Sequence, residues 1–295
     1  MTTQQLHLHT IAHIINPFQA SKDSDLYTAQ PITFESMIRA KESAKSKVNI
    51  ELWSAAFAGD DQHLSLEFKR TSPLERSTLD VPMLSQYPMK LPFIQDILAR
   101  LFEASHADYF IYTNVDIGLY PTFYQRVNDL INEGYDALII NRRRLSEKYT
   151  AVLDLEQIYS DYGKSHPGYD CFVFSREILQ RFVLEGICIG VPFIGITMAQ
   201  NIFCFSHRYK ILTRENQTFH IGMEIFKKRA PKPYFNYNRQ EFWKAAAKMK
   251  YAHHARKLPF SHQPLFLRLL KYGIHPSIPI RWVLQLEYLK YFKRH

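Results

Sequence analysis

Over its first 140 residues the chain alternates short apolar runs with segments that repeat apolar residues every three or four positions. That alternation limits the fold more than any other feature of the sequence. LHLHTIAHIIN (6–16), VNIELWSAAF (48–57), YFIYTNV (109–115) and DALII (136–140) read as buried strands. Between them, PITFESMIRAKESAKS (31–46) gathers Phe34, Met37, Ile38 and Ala44 toward one face, with Thr33 as a candidate N-cap. LPFIQDILARLFEAS (91–105) repeats Ile94, Ile97, Leu98, Leu101 and Phe102 at the spacing of a helix that covers a sheet. Pro121 opens a further helix and Gly134 closes it. Strand–helix alternation predicts an α/β fold, a mostly parallel central sheet flanked by helices.

In such sheets ligands bind at the carboxyl ends of the strands. Asp116 stands at one of those ends, past a run that hardly alternates and is therefore expected to be central. Asn16 and the stretch from Ser54 to Asp61 close strands one and two, and are expected on the same crevice.

After residue 141 the pattern loosens into NRRRLSEKYTAVLDLEQIYSDYGKSHPGYD, polar and aromatic, before a short strand CFVFS. NIFCFSHRYKILTREN and TFHIG read as two more strand-and-turn units. The expected organisation is one main unit over residues 1–234, in two halves (1–140 and 141–234), followed by a basic helical extension over 235–295. No linker separates independent domains.

A chain of 295 residues, 46% hydrophobic, has enough apolar surface to bury a large core. Its formal net charge of +9 suits an anionic small ligand, an anionic membrane surface or nucleic acid. The basic residues are dispersed, and no helix-turn-helix, zinc-finger or base-stacking pattern accompanies them, so no nucleic-acid partner is expected. Cys171, Cys188 and Cys204 show no C-x-x-C spacing and predict neither a disulfide framework nor a structural zinc site. A reducing, cytoplasmic location is the expectation, since no signal peptide or membrane-spanning run is evident. The C-terminal stretch LPFSHQPLFLRLLKYGIHPSIPIRWVLQLEYLKYFKRH mixes large apolar residues with Lys and Arg and a single acid, Glu287. It suits an amphipathic segment on the inner face of a membrane, or equally helices packed on the main body.

Asp116 after YFIYTNV, Asp170 in HPGYDCFVF and His220 in TFHIG are the polar residues set against apolar runs. Taken singly, Asp116 reads as well as a helix cap, and His220 as a satisfied core histidine. Their order changes the reading. The strand-loop HIINPF, the helix PITFESMIRA, the strand IYTNVDIGLYP, the turn-strand HPGYDCFVF and the late TFHIG resemble nucleotide-sugar glycosyltransferases of the GT-A (Rossmann-like) type over about residues 6–225. In that family an Asp-x-Asp signature at the end of a central strand holds a divalent cation on the donor diphosphate, and a later His completes the site. The resemblance implies Asp116 and His220 as metal ligands, with the neutral Asn114 in place of the first acid and the site one charge short. Mg²⁺ or Mn²⁺ is the implied cofactor, the imidazole leaning toward Mn²⁺. A hard cation stabilises a leaving nucleoside diphosphate without a proton donor.

Asp170 is the candidate base for an acceptor hydroxyl, and His166 in the same turn a weaker candidate. Lys90 and one of Arg142, Arg143 and Arg144 are expected near donor phosphates or acidic acceptor groups. Asp60 and Asp61 are candidates for the nucleoside, and Gly118 for close backbone approach to a ligand. The expected function is transfer of a sugar from a nucleoside diphosphate donor to an acceptor hydroxyl on a glycan, a lipid-linked glycan or a protein. Two other readings stay open. A nucleotidyltransferase of similar architecture is disfavoured by INPFQASKDSD, which lacks the expected glycines; a non-catalytic relative that binds an anionic ligand or a membrane is kept open by Asn114.

Overall fold

The structure, a computed structural model, describes residues 8–87, 89–221, 231–274 and Leu284. Nine strands form one sheet: β1 (Thr10–Ile15), β2 (Asn49–Ser54), β3 (Phe68–Arg70), β4 (Tyr109–Thr113), β5 (Ile117–Leu119), β6 (Ala137–Arg144), β7 (Lys164–Ser175), β8 (Tyr209–Leu212) and β9 (Thr218–His220). The order is β3-β2-β1-β4-β7-β6-β9-β5, with β8 beside β6. Strands β3, β2, β1 and β4 are parallel, as the alternation predicts. β7 then runs antiparallel to both β4 and β6, and β5 antiparallel to β9, while β6 is parallel to β8 and β9, so the sheet is mostly but not wholly parallel.

Helices α1 (Asp25–Ala44), α2 (Ile94–Ala104), α3 (Phe123–Asn132), α4 (Leu155–Ser160), α5 (Arg176–Leu179), α6 (Ile194–Phe205), α7 (Lys232–Met249) and α8 (Leu265–Ile274) surround it. Ile11, Ile15, Ile111, Leu138 and Ile140 point to one face and pack with Met37 and Ala40 of α1 and Val127 and Leu130 of α3. Ala12, Ile14, Phe110, Tyr112 and Ile139 point to the other, against Ile97 of α2, Ile202 of α6 and Phe242 of α7. With successive side chains buried on opposite faces, the strands show no polar alternation. Inside this core His13 meets Tyr124 Oη at 2.8 Å and Thr113 Oγ1 at 2.8 Å. Cys171, Cys188 and Cys204 are buried and free of disulfides.

Three local expectations are corrected. α1 starts eight residues before Thr33, capped by Ser24, whose Oγ accepts from Leu26 N at 3.3 Å; Pro31 lies inside the helix. The run NIFCF belongs to α6, where a helix buried nearly all round gives no amphipathic period to read. Asn141 to Arg144 extend β6 instead of forming a loop: the arginines stand at the sheet's end, where their charges reach solvent or a partner.

Candidate active site

β4 stays paired with β7 until Thr113, and there the chain leaves the sheet. Ile117 N donates to Asn114 O at 3.1 Å, a turn that reverses the chain into β5, whose Ile117 lies opposite His220 of β9. The turn carries Asp116 to His220, with Oδ2 and Nε2 3.0 Å apart and side chains only 13% and 4% exposed. Burial pushes the Asp116 carboxyl upward. The hydrogen bond from His220, with the charges of His220 and Arg142, outweighs that and holds it below the usual carboxylate range. The imidazole therefore donates. Asp116 Oδ1 is buried and has no hydrogen-bond partner among the described residues.

Around this pair stand the other polar groups of the sheet's end. Arg142 of β6 forms an ion pair with Asp170 of β7, Nη1 to Oδ1 at 2.6 Å, both side chains largely buried. Irregular pairing on either side of Asn141, where Arg143 and not Arg142 pairs with Ser165, accompanies this contact. Tyr112 Oη donates to Asn114 Oδ1 at 2.9 Å, and burial, then the charges of Asp116 and Asp170, keep that phenol protonated. His166 Nδ1 accepts from Gly168 N at 3.0 Å. Burial, with Arg142, Arg144 and His220 nearby, lowers His166 to about 4, so its imidazole is neutral at pH 7.

The structure thus gathers Asn114, Asp116, Arg142, His166, Asp170 and His220. The remaining sequence candidates sit along the same rim but attach to residues 55–61. Asn16 donates from Nδ2 to Ala55 O (2.6 Å), Ser54 Oγ lies 3.1 Å from Asp61 Oδ2, and Lys90 Nζ stands 4.0 Å from the centre of the Phe57 ring. Asp60 is half-buried, its N–H bonded to Phe57 O at 3.0 Å. Because β2, β1 and β4 are parallel neighbours, Ser54 at the end of β2 and Asn16 and Asn114 just past β1 and β4 lie at the same edge of the sheet. Tyr112 was missed by sequence reasoning. Its signal was the two-residue spacing 112, 114, 116, which sets three polar groups along one edge. Gly118 has a packing reason and not the ligand-facing one expected: a Cβ there would lie 2.2 Å from the buried Phe219 ring.

A hard cation fits Asp116 and His220, a carboxylate with a spare buried oxygen beside an imidazole, once its binding displaces the proton that Nε2 shares with Oδ2. Among the described residues no third His, Cys, Asp or Glu joins them, so other oxygens, such as those of a diphosphate, must complete any coordination shell.

Solved structures give the fold a comparison. Staphylococcus aureus TarS, residues 1–349 in complex with UDP-GlcNAc, superposes with a TM-score of 0.53 at 10% identity, covering 95% of this chain and 87% of that one. The same TarS fragment in complex with UDP gives 0.50 at 9% identity over the same shares. Glucosyl-3-phosphoglycerate synthase from Mycobacterium tuberculosis, in complex with Mn²⁺, UDP and glucosyl-3-phosphoglycerate, is more distant, at 0.43 and 13% identity over 82% of this chain and 80% of that one. The fold is GT-A, with a helical C-terminal extension, as the sequence resemblance implied. No family model matches the chain, and no curated protein matches its sequence.

Proposed function

We propose that this protein is a glycosyltransferase that moves a sugar from a nucleoside diphosphate to an acceptor hydroxyl. The observation that carries the reading is the buried Asp116–His220 pair, with its unpartnered Oδ1, at the rim of a GT-A sheet. TarS binds UDP-GlcNAc and UDP, which makes a uridine diphosphate sugar the donor to try first.

In this reading Asp116 and His220 hold Mn²⁺ or Mg²⁺, and Asn114 adds a neutral oxygen. When bound, the ion offsets the negative charge that develops on the departing diphosphate. Asn16, Ser54, Asp60 and Lys90 form the donor side of the crevice. Arg142 fixes the orientation of Asp170, which takes the proton from the acceptor hydroxyl as that oxygen attacks the sugar carbon. A neutral His166 leaves the acceptor mouth without a competing proton donor at pH 7.

Calorimetric titration with UDP-GlcNAc, with and without Mn²⁺, tests the reading. Wild-type protein should give metal-dependent heat, and Asp116→Ala should weaken it by about 100-fold or more, as expected when a ligand itself is lost. Equal heats with and without the ion, or unchanged donor hydrolysis by Asp116→Ala, would overturn it.

The same reading places the enzyme in the cytoplasm, working on acceptors at an anionic membrane surface. No described helix is long and apolar enough to cross a membrane. α8 exposes Leu265, Phe266, Leu270 and Ile274, with Arg268 and Lys271 on the same short helix, a composition suited to the interface. Residues 275–295, apart from Leu284, lie outside the described residues.

A further inference from the structure

An open groove of about 1400 Å³ runs from His166 along the first residues of β7 and past Tyr149 and α4. Its charges are unevenly matched. Glu156 is taken by Arg39 Nη1 at 2.8 Å, and Asp161 by Tyr149 Oη at 2.7 Å and Gly163 N at 2.9 Å. Arg144 and Lys164, both exposed, have no acidic partner among the described residues. They are also directly opposite each other in the β6–β7 ladder, where like charges repel and destabilise a sheet. On its other side Arg144 lies in register with His220 of β9. His220, Arg144 and Lys164 therefore stand side by side on three adjacent strands, and in-register neighbours share a face. Arg143, by contrast, does not line the groove and is tied to Tyr162 O (2.7 Å) and Gly163 O (2.9 Å).

Two cations without an acidic partner among the described residues, held together against their own repulsion one and two strand spacings from His220, form a seat for a dianion roughly 5 to 10 Å from the proposed donor site. An Arg fork beside a Lys suits phosphate oxygens. We propose that this groove is the acceptor subsite and that it selects a hydroxyl compound carrying a phosphate a few bonds from the reacting hydroxyl, the phosphate being held by Arg144 and Lys164. The assignment of an acceptor rests on the glycosyltransferase reading; the phosphate seat itself does not.

The test therefore measures binding without a donor. Glucose 6-phosphate and glucose are titrated into the full chain by saturation-transfer NMR, and into Arg144→Glu. The substitution places a carboxylate opposite Lys164, replacing repulsion by attraction, so the variant should melt at or above the wild-type temperature while losing about tenfold or more in glucose 6-phosphate affinity. Glucose 6-phosphate binding no tighter than glucose, or a preference that survives in Arg144→Glu, overturns the proposal. Cosedimentation with phosphatidylglycerol vesicles separates the sources of phosphate. Arg144-dependent binding of both glucose 6-phosphate and vesicles supports a lipid-borne acceptor, and Arg144-dependent binding of glucose 6-phosphate alone supports a soluble one. A wild-type protein that binds glucose 6-phosphate in this way yet turns over no nucleotide sugar would overturn the glycosyltransferase reading and keep the seat.

Discussion

Replacing Asp170 by alanine would leave the Arg142 guanidinium, whose side chain is 9% exposed, without the carboxylate that sits 2.6 Å from it. Breaking a buried pair by removing one partner costs about 3 to 5 kcal/mol, because the survivor keeps its desolvation penalty and loses its compensation. A chain of 295 residues unfolds with an entropy of about 0.6 kcal/mol per kelvin near its midpoint, so the melting temperature should fall by about 5 to 8 °C. The double substitution Arg142→Met with Asp170→Leu removes both charges. Replacing a buried pair by apolar groups of similar volume is often close to neutral, so it should recover most of that loss. Differential scanning calorimetry reads both, and transfer assays separate the roles. Asp170→Ala should lose transfer to the acceptor while donor hydrolysis to water, which runs on the Asp116–His220 side, continues. If the double variant melts as low as the single one, the loss comes from packing and not from a stranded charge. If Asp170→Ala transfers at the wild-type rate, Asp170 is not the base.

Asn114→Asp adds the acid that the resemblance leads one to expect, and should tighten Mn²⁺ binding in the presence of UDP by about tenfold, read by the same calorimetry. Gly118→Ala should destabilise the fold by about 1 to 3 kcal/mol in chemical denaturation, since its methyl would overlap the buried Phe219 ring. His13 is lowered by burial from 6.5 to about 3, so the folded state favours the neutral imidazole. The stability it contributes is complete above pH 6.5 and is lost as pH falls toward 3. Between pH 7 and pH 5 the loss should be about 2 kcal/mol, and His13→Asn should flatten that part of the stability profile.

The sheet and the pair at its rim were legible because both depend on strand ends. An apolar run followed by a bare carboxylate leaves few places for the carboxylate except the carboxyl edge, and Asp116 is there. His220 was harder to place from periodicity, since β9 is three residues long and only its pairing with β5 brings the imidazole to Asp116. The Arg142–Asp170 pair was not legible: each residue was singled out, but for separate roles, and the irregular β6–β7 pairing that accompanies their contact leaves no mark in either segment. NIFCF failed for a different reason. In a helix buried nearly all round, Gln200 and Asn201 are as inaccessible as Ile202, and no stripe remains to tell it from a strand.

β7 divides its labour along its length. Cys171 to Phe174 are locked between β4 and β6 with almost no exposure, while Lys164 and His166 line the groove and Asp170 pairs with Arg142 on the proposed acceptor side. In the proposed reading, changes at Lys164 and His166 can alter what the protein accepts without disturbing the segment that anchors them or the Arg142–Asp170 pair, so one continuous strand provides both a fixed foundation and a replaceable fitting. A library confined to residues 164–166 is the economical place to look for new acceptors.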